Sequence, residues 1–248
     1  VIKLCSESDG LPGVRFFTPR WTSLISALAA ADAEVYYHNC AEYVTGQVGF
    51  WCSKHGRRFV YGVASDYDVR RDATLHKPAK DEWFFGHGLR RADLIISQTQ
   101  SQRTQLRANY GLDSSVSPMP GTPPAIDSGI SAEHKFDTKR IVWVGRVSPE
   151  KRVDWFVDVA GKLGEYQFEI MGPPGLPAAE MAALQARIDA TPNLTYVGKV
   201  PGDQMPTRYQ HAALLCCTSL YEGFPNTFLE AWSYSLPVVT TFDPDGLV

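Results

Sequence analysis

Two glutamates eight positions apart, in Glu222-Gly223-Phe224-Pro225-Asn226-Thr227-Phe228-Leu229-Glu230, are the strongest chemical signal in this chain of 248 residues. The apolar run Ala213–Thr218 before them reads as a buried strand, so Glu222 and Gly223 fall in the loop at its carboxyl end. That edge is where open α/β sheets bind ligands. Pro225 suits a helix's first turn, where its missing N–H would be unpaired anyway. The N–H groups of Asn226, Thr227 and Phe228 are then expected to be free and, with the helix dipole, to make an anion site for a phosphate. Glu230, one turn further, is placed to accept hydrogen bonds from a ribose diol. Glu222 is expected to stay in the loop, free to face a sugar. A capped surface helix with two solvated acids is the plainer alternative, and the glycine, proline and strand around the pair weigh against it.

A second segment, Gly145-Arg146-Val147-Ser148-Pro149-Glu150-Lys151, repeats the arrangement. A strand, Ile141–Val144, runs into a loop, and a helix is expected to open at Pro149. Arg146 and Lys151 then reach the same sheet edge. Two cations near a helix N-terminus suit a diphosphate and can neutralise the charge that builds on a departing nucleotide, as a metal does elsewhere.

In this order and at this separation, the two segments resemble the retaining glycosyltransferases of family 4, of the GT-B fold and group 1 type. In that family a G-R-x-x-x-E-K loop holds the donor diphosphate and an E-x7-E segment contacts donor sugar and ribose. Glu222–Trp232 followed by Leu236-Pro237-Val238-Val239 is a close match, and Arg91–Thr99 resembles a helix-to-strand junction of the family's first half. The resemblance implies two Rossmann-like domains facing across a cleft, with the donor between them and no bound metal or other cofactor. It implies Arg146, Lys151 and Glu222 as catalytic residues, Glu230 on the ribose, and the Val200 backbone at the base. Gly145, Gly223, Phe224, Pro225, Asn226, Thr227 and Phe228 complete the expected donor site. It also implies a hexosyl-type transfer with retention, from a UDP- or GDP-linked sugar to a glycan, a lipid-linked or a small-molecule acceptor, as in cell wall or glycan biosynthesis. A GT-B epimerase or phosphorylase and a non-catalytic nucleotide-sugar-binding remnant are the rival readings. No G-x-G-x-x-G follows an expected strand, which disfavours an oxidoreductase.

The elements that must hold these residues alternate strand and helix, the pattern of helix-covered parallel sheets. In the first half strands are expected near Glu34–His38, Phe59–Ala64 and Leu94–Gln98. Helices are expected at Pro19–Ala30, Tyr43–His55, Lys80–Arg91 and, capped by its serine, Ser101–Tyr110. Four prolines in the eight residues Ser117–Pro124 break the pattern and predict an interdomain connection. We therefore expect a first domain over 1–124, on the acceptor side, and a nucleotide-sugar-binding domain over 125–248. The second half continues with Val153, Phe156, Val157 and Ala160 on one helix face, a strand at Tyr166–Met171, a helix at Ala178–Ala190 and a strand at Leu194–Val197. A short helix at Met205–His211, a helix at Asn226–Tyr234 and a strand at Pro237–Thr241 follow. The opening Val1, the missing glycine-rich loop (Leu11-Pro12-Gly13 is a poor substitute) and the end at Val248 predict a fold cut short at both ends.

On the acceptor side, His38 follows a strand, and Asp66 stands beside the place where many family members have a histidine. Asp66-Tyr67-Asp68 has the spacing of a metal-binding D-x-D but lacks a supporting His or Glu cluster, so we read it as polar lining. Gly86-His87-Gly88 reads as a turn rather than a catalytic base. Cys216 and Cys217, inside an apolar run, read as buried hydrophobes. A net charge of −3 without a basic run excludes nucleic acid as an expected partner. No apolar stretch approaches the ~20 residues of a membrane span. A cytoplasmic location is expected, with peripheral contact at the inner face of a membrane left open.

Overall fold

The computed structural model describes residues 9–11, 14, 16–71, 78–121 and 136–248. Two compact units divide the chain, Val1–Ser117 and Pro118–Val248. The expected boundary at 124/125 lies outside the described residues, as do Pro12, Gly13 and the proline tract beyond Gly121.

The first unit places β1 (Val35–Asn39), β2 (Arg58–Gly62), β3 (Leu94–Ser97) and β4 (Ser115–Val116) side by side in chain order. Every neighbouring pair is parallel. Its described helices include a π-helical segment, Phe16–Trp21, and then α1 (Thr22–Ala31), α2 (Tyr43–His55), α3 (Asp66–Val69), α4 (Ala79–Leu89) and α5 (Gln100–Tyr110). Tyr36, Phe59, Tyr61 and Ile95 from the strands bury against Val48, Trp51, Phe85, Leu89 and Leu106 from the helices. Gly86-His87-Gly88 is not a turn but the last part of α4. A Cβ at Gly88 would stand 2.4 Å from the Thr45 carbonyl oxygen, so the glycine lets α4 lie backbone to backbone on α2. The cap of α5 is Thr99, whose hydroxyl accepts from the Gln102 N–H at 3.1 Å, and not Ser101, which lies inside the helix.

The second unit contains β5 (Arg140–Val144), α6 (Val153–Lys162), β6 (Gln167–Met171), α7 (Ala178–Asp189), β7 (Leu194–Gly198), α8 (Met205–Gln210), β8 (Leu214–Cys217), α9 (Asn226–Ser233) and β9 (Val238–Thr240). The sheet order is β7-β6-β5-β8-β9, with all pairs parallel. Alternate residues of β5 serve opposite faces. Ile141 and Trp143 pack with Val153, Phe156, Val157, Ala160, Leu184 and Ile188 of α6 and α7. Val142 packs on the other face with Tyr209, Phe228 and Ala231 of α8 and α9. Strand order reverses between β5 and β8, so their carboxyl ends diverge and leave a crevice.

Pro149 does not open α6. It begins a separate 3-10 turn, Pro149–Lys151, which Arg152 ends at φ +48° before α6 starts at Val153. The expected apolar stripe of Val153, Phe156, Val157 and Ala160 is buried. Cys216 and Cys217 are half-buried rather than buried, because only Leu215 of β8 is fully enclosed.

Candidate functional site

The carboxyl ends of β5, β6 and β7 meet as bare backbone. The Gly145 N–H donates to the Met171 carbonyl at 3.0 Å, and the Gly172 N–H to that of Gly198 at 2.8 Å. Tyr196 donates its hydroxyl to the Gly172 carbonyl at 2.9 Å. Gly172 has φ +151°, and a Cβ there would lie 1.7 Å from the Gly145 oxygen, so no side chain fits. A cavity of about 320 Å³ opens at this edge. Gly145, Gly172 and Pro173 bring backbone to it, Arg146 and Lys199 bring charge, and Val200 and Met205 add an apolar wall. Neither cation forms a salt bridge among the described residues.

Thr227 and Glu230 reach the same cavity from the first turns of α9. Pro225 is the residue before that helix, with φ −66° and ψ 122°. The Phe228 N–H donates back to the Pro225 carbonyl at 3.0 Å, so it is not one of the free donors expected there. The Phe228 side chain is fully buried, and its ring lies in the core against Trp232 and Phe242. Asn226 and Thr227 remain as the first-turn donors. Glu230 Oε2 accepts from the hydroxyl of buried Tyr209 at 2.7 Å. Burial first, and then this bond to a carboxylate, hold the Tyr209 hydroxyl far above its usual pKa.

Lys151 and Glu222 meet across the β5/β8 crevice. Lys151 Nζ pairs with Glu222 Oε1, and Ser219 Oγ donates to the same oxygen at 2.6 Å. Glu222 is therefore held by two groups rather than free in its loop. The loops themselves are tied together. The Leu220 N–H donates to the Glu150 carbonyl and Thr218 Oγ1 to the Lys151 carbonyl, both at 2.8 Å. Trp143 Nε1 donates to Thr218 Oγ1 at 3.0 Å. Gly223 is buried beneath this junction and Phe224 is half-buried, its ring edge-on to Trp232 at 6.1 Å.

In the first unit, His38 of β1 and Asp66 of α3 lie near the carboxyl edge of that sheet. His38 Nδ1 is 3.2 Å from Thr45 Oγ1, and burial lowers the pKa of the ring. Asp66 Oδ1 accepts from Gln102 Nε2 at 3.2 Å. Asp68 is only 4% exposed and accepts from the Ala64 N–H, the Tyr61 hydroxyl and the Ala41 N–H. Its carboxylate thus fastens the start of α3 to the carboxyl ends of two strands, β1 and β2. Among the described residues no group of three or more His, Cys, Asp and Glu side chains is placed to hold a metal ion.

Of the residues expected at the donor, the cavity brings together Gly145, Arg146, Val200, Thr227 and Glu230, while Lys151 and Glu222 form the neighbouring pair. Lys199, Met205 and Tyr209 were not singled out from sequence. Lys199 carried one usable signal, its place directly after the strand-ending Gly198. A larger cavity of about 380 Å³ lies beside α6 and α7; of the two motif segments only Ser148 and Pro149 line it, and none of the residues expected at the donor does. Its cations are already paired, Arg152 with Asp154 and Arg187 with Asp158.

Residues 138–247 match the family model described as "Glycosyl transferases group 1". The lipopolysaccharide 1,6-galactosyltransferase of Salmonella typhimurium is 31% identical over 105 residues, 40% of this chain and 29% of that protein. The alpha-D-kanosaminyltransferase of Streptomyces kanamyceticus is 23% identical over 205 residues, 80% of this chain and 47% of that protein. The chain thus spans less than half the length of either curated relative. Among solved structures, S. aureus TarM with fondaparinux, alpha-GlcNAc-glycerol and UDP matches with a TM-score of 0.70 at 15% identity, over 91% of this chain and 46% of that one. Anabaena HepE with UDP and glucose matches at 0.68 and 16% identity, over 94% and 65%. These likenesses assign the fold: α/β, GT-B, with two Rossmann-like units. Among the described residues no helix is long and apolar enough to cross a membrane.

Proposed function

We propose that this chain belongs to an enzyme that transfers a sugar, with retention at the anomeric carbon, from a nucleoside diphosphate sugar to a glycan, lipid-linked or small-molecule acceptor. The observation that carries the proposal is the cavity of about 320 Å³ at the carboxyl edge of the second sheet, where two cations, a helix start and a carboxylate converge. In this reading Val200 backs the base and Glu230 accepts from the ribose hydroxyls. Arg146 and the first turn of α9 take the diphosphate. Lys199, a cation on the same cavity, adds to that charge balance.

The reaction breaks the bond between the anomeric carbon and the diphosphate oxygen, and the acceptor oxygen bonds to that carbon on the same face. Charge accumulates on the departing diphosphate, where Arg146 and Lys151 stabilise it most as the bond breaks. The acceptor's proton passes to an oxygen of that diphosphate. Glu222, oriented by Lys151 and Ser219, faces the donor sugar. The match to the group 1 family model over residues 138–247, which contain both motifs, supports the assignment.

Calorimetry with UDP, GDP and their sugars tests the donor site, and Glu230→Ala is the informative variant. Loss of a carboxylate that holds ribose hydroxyls is expected to cost roughly 1–3 kcal/mol. Unchanged affinity removes Glu230 from the ribose. Proton NMR of the first-formed glycoside reports the stereochemistry, and an inverted product overturns retention.

A further inference from the structure

We infer that Tyr209 is a positioning residue for the nucleotide: its buried hydroxyl sets the orientation of the Glu230 carboxylate and thereby the enzyme's preference for a ribose over a deoxyribose. The inference rests on the proposed ribose role of Glu230 and adds a residue that the two motifs do not contain.

Glu230 is exposed at the cavity and would, left alone, sample several rotamers. One hydrogen bond restricts it, the 2.7 Å bond from the Tyr209 hydroxyl to Oε2. Tyr209 itself cannot wander. It is 1% exposed, and its ring stacks on Tyr234 at 6.0 Å and 17°. Its helix is fastened from the adjacent position, where Arg208 Nη1 donates to Glu169 Oε2 of β6 at 3.2 Å. One turn earlier on the same helix, Met205 lines the cavity. The short helix α8 thus offers an apolar contact to the cavity from one turn and a fixed donor to its carboxylate from the next.

The chemistry favours this division of labour. Tyr209 keeps its proton, because burial and the neighbouring carboxylate both raise its pKa, so it acts only as a donor to Glu230. With Oε2 so held, Oε1 and the remaining lone pair of Oε2 are presented in a fixed plane to two vicinal hydroxyls. A deoxyribose fails to supply one of those donors, and a fixed carboxylate cannot turn to compensate.

The test compares Tyr209→Phe with the parent for binding of UDP and 2′-deoxy-UDP, or of GDP and 2′-deoxy-GDP if guanine is the preferred base. Phenylalanine keeps the ring in the core, and thermal unfolding of the free variant checks that the unit stays folded. Affinity for the ribonucleotide is expected to fall roughly three- to tenfold, the fold-change of one net hydrogen bond, while the deoxy nucleotide changes much less. In transfer assays KM for the donor should rise with kcat little altered. In a Glu230→Ala background, which leaves no acceptor for the Tyr209 hydroxyl, the substitution should be nearly silent. Equal losses for ribo- and deoxynucleotide, or full additivity with Glu230→Ala, overturn the inference. If Glu230→Ala itself leaves the ribose preference intact, or neither nucleotide binds, the ribose role of Glu230 falls and this inference with it. If Glu230→Ala abolishes the preference while Tyr209→Phe preserves it, only the role of Tyr209 falls.

Discussion

Replacing Glu222 by alanine separates the two duties given to the Lys151–Glu222 pair, one structural and one chemical. The side chains are 25% and 16% exposed, so the pair is largely removed from water. Deleting one partner of a buried pair costs about 3–5 kcal/mol, chiefly because the other charge is stranded. A quarter of the lysine surface still meets solvent and its stem is flexible, which brings the expected loss to about 1–3 kcal/mol. A loss of that size corresponds to a fall on the order of 5–10 °C in melting temperature for a unit of this size. Glu222→Gln should lose less, because the amide oxygen can still accept from Ser219.

Ligand changes the balance. If Lys151 serves the diphosphate, then in Glu222→Ala the bound nucleotide supplies the counter-charge that the glutamate has lost. Scanning calorimetry with and without saturating nucleoside diphosphate should therefore show a larger ligand-induced rise in the variant than in the parent. Transfer should nevertheless collapse if Glu222 is, as proposed, the group that faces the donor sugar. A variant that melts like the parent refutes the stabilising pair. A ligand-induced rise no larger than the parent's refutes the placement of Lys151 at the diphosphate.

Gly172→Ala is expected to destabilise the second unit by about 3 kcal/mol or more and to weaken nucleotide binding, because its Cβ would stand 1.7 Å from the Gly145 oxygen at a φ of +151°; urea titration with and without nucleotide measures both. His38 has a pKa below its ordinary 6.5 through burial, so its neutral form favours the native state above that value. That contribution is lost as pH falls below 6.5 toward the lowered folded value, so His38→Asn should flatten the acid side of the stability profile in pH-dependent urea unfolding. Transfer is expected to survive EDTA, since cations and a helix start are assigned to the diphosphate; abolition by EDTA with recovery on adding magnesium or manganese, mimicked by Asp66→Asn, sinks that mechanism.

The parts of the site that could be read from sequence are those set by local backbone chemistry. Ile141–Val144 and Ala213–Thr218 are apolar and bounded by Gly145 and by the Glu222-Gly223 loop, so both strand ends were visible. Pro225 marked the start of α9 to within one residue. Local signals misled where a tertiary contact decided the outcome. Gly86-His87-Gly88 has the composition of a turn, yet close packing on α2 absorbs it into a helix. Pro149 is a good helix opener, but the chain turns through Arg152 at φ +48° before α6 begins.

Polar partners were the least visible feature, for a reason particular to doubly wound sheets. Lys151 and Glu222 are 71 positions apart and meet because β5 and β8 are neighbours at the point where strand order reverses. Tyr209 and Glu230 are 21 apart and meet because α8 and α9 share one face of the sheet. In the first pair each residue belongs to its own motif, whereas in the second Glu230 accepts a hydrogen bond from a tyrosine that belongs to neither. Spacing can show that two carboxylates lie near a strand end, since period and rise set that. Which donor fixes each carboxylate depends on the order in which the strands assemble, and no run of eight residues contains that information. Tyr209 thus reads in sequence as an ordinary aromatic of a short helix, and only the topology reveals that its hydroxyl ends on Glu230.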